Sequence, residues 1–435
     1  VSEQTKREAD DPSMAEHSGK AKLVISTYSR NEQIQTAVKK YEALHPNIEI
    51  DLQVAQTDVN DPDKQLADQE KFVAAANTAM LAGKGPDLIE MDLLPTEKYV
   101  NRNLLVNLSD LMQQDPTFKK EDYFTNILDN SQINGGLYAM PLSFYLSGLI
   151  GDEGALVKAG EQVNDQNWSW SEFAEMAKQL SQKGGYEHAF GSSPDYMLTE
   201  MVSENYGLFV DEANGRASFD SASFTGLMKQ VKAMFDEGVV YDALAGGRKN
   251  IKKTYFEEAQ IQSPADYLYV LEAYASQAKF YTKPHAQEMG DGGYFRARQT
   301  LGISASSPVK KEAWDFIHFL LSEEANSIPG NTSVSSGFPI DKSAYDKQIK
   351  QLRDEGVQAY KNGPANSSAI KPDSTMLKRL DQLEANVTGA VHALGKPSRI
   401  DEIVTEECQA FFSGQKSAED VAKLIQNKVV LYLNE

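Results

Sequence analysis

The sequence predicts an α/β protein of two lobes, each assembled from discontinuous segments of the chain. Three observations predict it. The chain opens with strand–helix–strand units, it is long enough for more than one core, and three Gly- or Pro-marked crossings divide it. At 435 residues it exceeds the size at which a single core stops growing. At 41% hydrophobic residues it has the side chains to fill two or three cores.

The first twenty residues, VSEQTKREADDPSMAEHSGK, are polar, charged and aperiodic, so 1–20 read as a flexible tether. No signal peptide is read there, and no run of eighteen apolar residues predicts a membrane span. Order begins at Lys22. KLVISTY predicts a strand, and Ile34, Ala37, Val38, Tyr41 and Leu44 follow at helical spacing up to His45-Pro46. Ile48, Ile50, Leu52 and Val54 then alternate as a strand does. A helix over 64–82, stopped by Gly83, leads to the strand PDLIEMD. Strand, helix and strand in about thirty residues imply a parallel sheet. Ligands of such sheets bind beyond the carboxyl ends of the strands, here at Tyr28-Ser29-Arg30-Asn31 and Glu90-Met91-Asp92.

GGLYAMPLSFYLSGLIGD, residues 135–152, reads as a turn, a strand, a bend at Pro141 and a second apolar run. Helices dominate the next stretch of chain. Ser169 and Glu172 stand at capping-box spacing before Phe173, Met176, Ala177 and Leu180. A second stripe runs Phe224, Leu227, Met228, Val231 and Phe235. Glycines near 290–293 lead to a strand at Leu301–Ser304 and a helix carrying Ala313, Phe316, Ile317, Leu320 and Leu321 on one face. SSGFPIDKSAY makes a third turn, and a wholly helical tail is expected after it. Leu377, Leu380, Leu383 and Val387 stripe one tail helix; Val421, Leu424, Ile425 and Tyr432 stripe another. Hinges are therefore expected near 141–146, 294–301 and 338–343. The first lobe would comprise 21–142 plus 302–338, the second 143–296 plus 343–435.

With 43 Lys and Arg against 63 Asp and Glu the chain carries a net charge of −20. That repels phosphate backbones, so nucleic acid is not an expected partner, and it favours a soluble monomer. The single cysteine, Cys408, excludes an internal disulfide and a cysteine-based metal cluster. It sits on the apolar face of a helix, as an inert thiol does.

GKGPDLIEMD, GGLYAMPLSFY, NWSWSEF, LGISASSPVKKEAWDFIHFLLSEEA, SGFPIDKSAY and LIQNKVVLYLNE follow one another along the chain. In this order they resemble the extracellular solute-binding proteins of bacterial ABC importers, of the maltose-binding-protein type, from about Ala21 to Glu435. The resemblance implies a periplasmic-binding-protein-like fold: two α/β lobes joined by hinge strands, with a ligand cleft between them. It implies export, an oligosaccharide ligand as in the Firmicutes branch, and delivery to ABC permease subunits. It also implies a lipid anchor on an N-terminal cysteine, which this sequence does not carry.

A sugar is held by aromatic stacking on its C–H faces and by polar side chains on its hydroxyls. Each candidate has an alternative. Tyr28 either lines the cleft or packs on the first helix; Arg30 ends the same strand. Asp92 either binds hydroxyls or caps the segment before Pro95. At the first crossing Ser143 and Tyr145 are candidates, with Tyr145 preferred to Phe144. Trp168 is expected to be open, Trp170 and Trp314 to be core. Tyr206, Tyr267, Tyr269 and Tyr294 are expected from the second lobe. Arg296 either clamps a carboxylate, as a uronic-acid ligand would present, or forms a salt bridge. Asp58, Asn60, Asp61 and Asp63 lack the glycine and glutamate of an EF-hand and read as a solvated turn. No metal and no cofactor are expected. No elbow, zinc or nucleotide motif is present, so an enzyme, such as a polysaccharide-cleaving one, is the weaker class, and a peptide or other non-sugar solute the alternative ligand.

Overall fold

The computed structural model describes residues 20–57, 60–245, 251–286, 290–326, 336–359 and 368–435. Most of the tether and Asp58 lie outside them. The principal strands are β1 (Ala21–Thr27), β2 (Ile48–Val54), β3 (Leu88–Glu90), β4 (Met140–Asp152), β5 (Phe256–Ile261), β6 (Ala278–Tyr281), β7 (Gly293–Ile303), β8 (Phe338–Pro339) and β9 (Ala390–Ala393). The chain divides into two compact units: Val1–Phe144 with Ala297–Gln351, and Tyr145–Arg296 with Leu352–Glu435.

In the first unit β1 lies between β2 and β3, parallel to both, and β7 runs antiparallel to β3 with Leu301 opposite Glu90. The helix Glu32–Leu44 starts at Asn31, whose side chain accepts from the Ile34 N–H. The helix Pro62–Leu81 starts at Asp61, which accepts from the N–H groups of Asp63 and Lys64, so part of the acidic run is a helix cap. Phe72, Ala76 and Met80 of that helix pack on Tyr28, Ile89 and Met91. The GPD segment has a structural reason. Asp87 accepts from the Val24 N–H at 2.8 Å and from the Ser307 hydroxyl at 2.7 Å, tying β1 to the turn after β7. The turn expected at Gly135-Gly136 is centred one residue earlier, on Asn134-Gly135. Both have positive φ, and Ile133 and Gly136 exchange backbone hydrogen bonds around them.

In the second unit β4 lies between β5 and β6, antiparallel to each. Gly148 admits this packing, because a Cβ there would stand 2.5 Å from the Phe280 ring. The core joins Trp168, Trp170, Phe173, Phe190 and Phe256 to the tail helices through Ile400, Val404, Cys408, Val421 and Ile425. The Ser169 hydroxyl accepts from the Glu172 N–H, as the cap predicts.

Several expectations need correction. β4 is one unbroken thirteen-residue strand without a bend at Pro141. β7 begins at Gly293 rather than near Leu301. The tail is not wholly helical, since β9 pairs in parallel with β7. Leu377 is exposed; Met376 takes its place in the stripe. The third boundary between units falls at Gln351 and Leu352, not within 338–343. Phe338 and Pro339 pair with Phe144 and Ser143, and Tyr345 packs edge-on against Phe124, so 338–351 stay with the first unit.

Cys408 is fully buried, and burial pushes its thiol up to about 12. A thiol reagent at pH 8 is expected to leave the native protein unlabelled and to label one thiol per chain in urea. Rapid native labelling would remove Cys408 from the core.

Candidate functional site

In the first unit, polar groups gather at the carboxyl ends of β1 and β3. Glu90 is buried, and its carboxyl receives the backbone N–H groups of Tyr28 and Ser29. Burial pushes it up to about 8 and Asp92 pushes the same way, against the pull of those N–H groups and of Arg298. Arg298 is itself lowered by burial, with Asp92 and Glu90 opposing. The Asp92 carboxylate accepts from the N–H of Gln299 at 3.0 Å and from the N–H and hydroxyl of Thr300 at 2.8 and 2.5 Å. Gln299 has φ 53°, a left-handed kink inside β7 that a side chain normally avoids. Asp92 holds that kink.

In the second unit, the helix Pro194–Glu204 presents Tyr196, Glu200 and Glu204 four residues apart, on one face. Lys283, just beyond β6, reaches Glu204 at 2.5 Å, Glu258 of β5 at 2.7 Å and Glu200 at 4.0 Å. Burial lowers the Lys283 ammonium, but Glu204, Glu258 and Glu200 outweigh it and hold it well above its ordinary value. Burial pushes Glu204 up to about 7 against the pull of Lys283, and Glu200 is raised by burial as well. Arg296 donates to the Gly395 carbonyl at 2.7 Å. It is lowered by burial, with Glu200 and Asp401 holding its charge. Glu200 Oε2, Glu204 Oε2 and the Tyr294 hydroxyl, all buried, have no hydrogen-bond partner, and Glu204 Oε1 meets the Lys283 ammonium. Tyr196 is 45% exposed, but burial raises its hydroxyl, with Glu258 and Glu200 adding to the rise and Lys283 opposing it.

The predicted residues divide between these groups and the cores. Tyr28 is buried against Phe72 and donates to the Gln65 carbonyl, so it packs, though on the second helix rather than the first. Arg30 is exposed beside the Glu90 strand end. Asp92 serves the β7 backbone. Ser143 is buried with its hydroxyl unpartnered, in a crevice of about 10 Å³ with Gln33, Asn326 and Gly337, room for about one water. Tyr145 is half-buried at the start of the second unit. Trp168, expected open, is 3% exposed and donates to the Thr282 carbonyl at 2.7 Å. Tyr206 donates to Glu212 at 2.6 Å, and its ring lies so close to Gly395 that a Cβ there would stand 2.7 Å from it. Tyr267 is buried and donates to the Arg379 carbonyl; Tyr269 donates to the Gln358 carbonyl. Trp170 and Trp314 are core, the latter donating to Asp115 at 2.9 Å. Tyr294 and Arg296 do enter the second unit's polar group, but Arg296 spends its charge on Gly395, Glu200 and Asp401 rather than standing ready as a carboxylate clamp.

Tyr196, Glu200, Glu204, Glu258 and Lys283 were not foreseen. The first three carry a legible signal, a Tyr-x3-Glu-x3-Glu spacing after a Ser-Pro helix start. Glu258 and Lys283 carry none, because pairing of β5 and β6 with β4 brings them in. Among the described residues no group of three or more His, Cys, Asp or Glu is placed to hold a metal ion, and no helix is long and apolar enough to cross a membrane. A separate cavity of about 510 Å³ in the first unit is lined by Met112, Asp115, Phe118, Lys120, Leu128 and Gln132 among others, and holds none of the predicted residues.

Over residues 27–327 the sequence matches the family described as bacterial extracellular solute-binding protein. It is 24% identical over 400 residues to an uncharacterised lipoprotein in the oleD 5′ region of Streptomyces antibioticus, covering 88% of this chain and 80% of that one. The fold is similar to that of an extracellular solute-binding protein family 1 structure from Alicyclobacillus acidocaldarius, with TM-score 0.62, 18% identity and 96% and 99% of the two chains covered. It is also similar to the sugar-binding protein MalE of Xanthomonas citri, with TM-score 0.63, 15% identity and 95% and 98% covered. The fold is thus the periplasmic-binding-protein-like α/β fold expected from the sequence.

Glu90 gives a pH test. Its folded value, about 8, lies above the ordinary 4.5, so the native state keeps a proton that the unfolded state releases. Stability therefore falls as pH rises between those values. Glu90→Gln is expected to match wild type near pH 4 and to exceed it by on the order of a few kcal/mol at pH 8.5 in urea titrations. A variant less stable at pH 8.5 would mean that the carboxylate is ionised and well paired.

Proposed function

We infer the function from one premise: the chain belongs to the bacterial extracellular solute-binding proteins. We propose that it is the extracytoplasmic substrate-binding component of an ABC importer. In this reading it captures an oligosaccharide by closure of its two units and delivers it to permease subunits. Closure is favoured because a ligand shifts a protein toward whichever state it binds more tightly. The similarity to a sugar-binding protein supports the ligand class, and the similarity to a lipoprotein supports a lipid-anchored position at the outer face of the cytoplasmic membrane. The protein acts as a monomer in this reading and needs no cofactor.

The observation that carries the carbohydrate reading is Tyr196. It is an exposed ring with part-exposed carboxylates of Glu200 and Glu258 next to it. A sugar needs that combination: a flat apolar surface for its C–H face and acceptors for its hydroxyls. In the first unit, Arg30, Glu90 and Asp92 at the strand ends supply further polar groups. Tyr145, half-buried where β4 enters the second unit, is the second stacking candidate. Family membership favours binding over turnover, and a polysaccharide-active enzyme gains no support from the site.

A saccharide panel is expected to raise the melting temperature of the full chain saturably without product formation. Tyr196→Ala is expected to weaken the best ligand by ~1–3 kcal/mol, the range for removing an aromatic platform from beneath a base. Its own melting temperature should change little, since the ring is exposed. Turnover of a saccharide, or undiminished binding by the Tyr196 variant, would count against this reading.

A further inference from the structure

The charge of the second unit's polar group bears on which solute it takes. Four carboxyl groups, Glu200, Glu204, Glu258 and Asp401, face two cations, Lys283 and Arg296. Both cations are already engaged, Lys283 by three glutamates and Arg296 by the Gly395 carbonyl. The group is therefore short of positive charge, and Glu200 and Glu258 lie within hydrogen-bonding distance of each other, which raises Glu200 further. The orphaned atoms say the same independently. Glu200 Oε2 and Glu204 Oε2 receive no hydrogen bond, and the Tyr294 hydroxyl, on a side chain 1% exposed, stands unpartnered toward Glu204 and Lys283. Buried polar atoms left unpaired are costly and call for a partner.

The opening to solvent is on the acidic side. The Glu200 and Glu258 side chains are 17% and 18% exposed, whereas Lys283 is 3% exposed behind them. Tyr196, one helical turn before Glu200, offers its ring beside the same opening. A ligand resting on Tyr196 thus meets carboxylates first. Resting on the carbohydrate reading, we propose that this face of the second unit takes an amino-bearing sugar, its ammonium donating to Glu200 and Glu258, and disfavours a uronate. A tyrosine face adds cation–π attraction for the same ammonium. A carboxylate there would meet the carboxyl groups of Glu200 and Glu258 with both cations already engaged behind them, in a partly desolvated place where screening by salt is weak.

The test is calorimetric titration of the full chain with matched saccharides. The set is glucosamine, galactosamine and mannosamine beside their neutral parents, glucosamine tetramer beside cellotetraose and N-acetylglucosamine tetramer, and tetragalacturonate. In every matched set with a binder, the free amine is expected to bind about tenfold or more tightly than its neutral partner. Tetragalacturonate is expected not to bind. Glu200→Gln should shrink the ratio of amine to neutral affinity toward one while the melting temperature of the ligand-free protein holds or rises. Neutral members binding as tightly as amines, or tetragalacturonate binding, would overturn this inference and leave the carbohydrate reading standing. A panel in which nothing binds would overturn the carbohydrate reading, and the inference with it.

Discussion

One buried ammonium organises the second unit. Lys283 sits 3% exposed between the helix Pro194–Glu204 and β5, and its charge is held by Glu204, Glu258 and Glu200. A buried lysine survives as a cation only when its desolvation is offset by close carboxylates. Burial raises Glu204 and Glu200 even so, against the pull of Lys283, and each keeps one oxygen without a hydrogen-bond partner. Removing Lys283 would strand three carboxyl groups together; removing a carboxylate would relieve the excess. The balance fixes the helix, and with it Tyr196, against the β4–β5–β6 sheet. The same imbalance gives the exposed edge its acidic character.

The first unit has a corresponding constraint, built by hydrogen bonds rather than ion pairs. Asp92 grips the backbone at Gln299 and Thr300 and keeps β7 in a left-handed kink three residues after the boundary between units at Arg296 and Ala297. Asp87 ties β1 to the turn after β7. Asp87 and Asp92, the first and last acids of the PDLIEMD segment, thus serve the scaffold, and the neighbouring Glu90 is left as the perturbed carboxyl.

Much of the fold was legible because it rests on local periodicity. The helix faces at Phe173, Phe224 and Phe316 and the alternation of β2 come from side chains that must meet within one element. What was not legible depends on distant pairing. β9 is four residues long and becomes a strand only by lying beside β7. The end of the third crossing depends on Phe338 finding Phe144. Several aromatic candidates are core for a related reason. Tyr28, Trp168 and Tyr267 look available at strand ends and helix starts, but each has a polar tip that finds a carbonyl far away in sequence, and such rings are then buried. Tyr196 stayed exposed because it occupies the first turn of its helix, and its spacing to Glu200 and Glu204 was the one signal that pointed to it.

The central claim is that the second unit receives its solute on Tyr196 above the Lys283–glutamate group. A crystal structure of the chain with its tightest-binding saccharide tests it most directly. The account predicts a sugar ring stacked on Tyr196 with one of its donors within hydrogen-bonding distance of Glu200 or Glu258. A saccharide lodged instead in the first unit's cavity beside Phe118, with Tyr196 untouched, would contradict it.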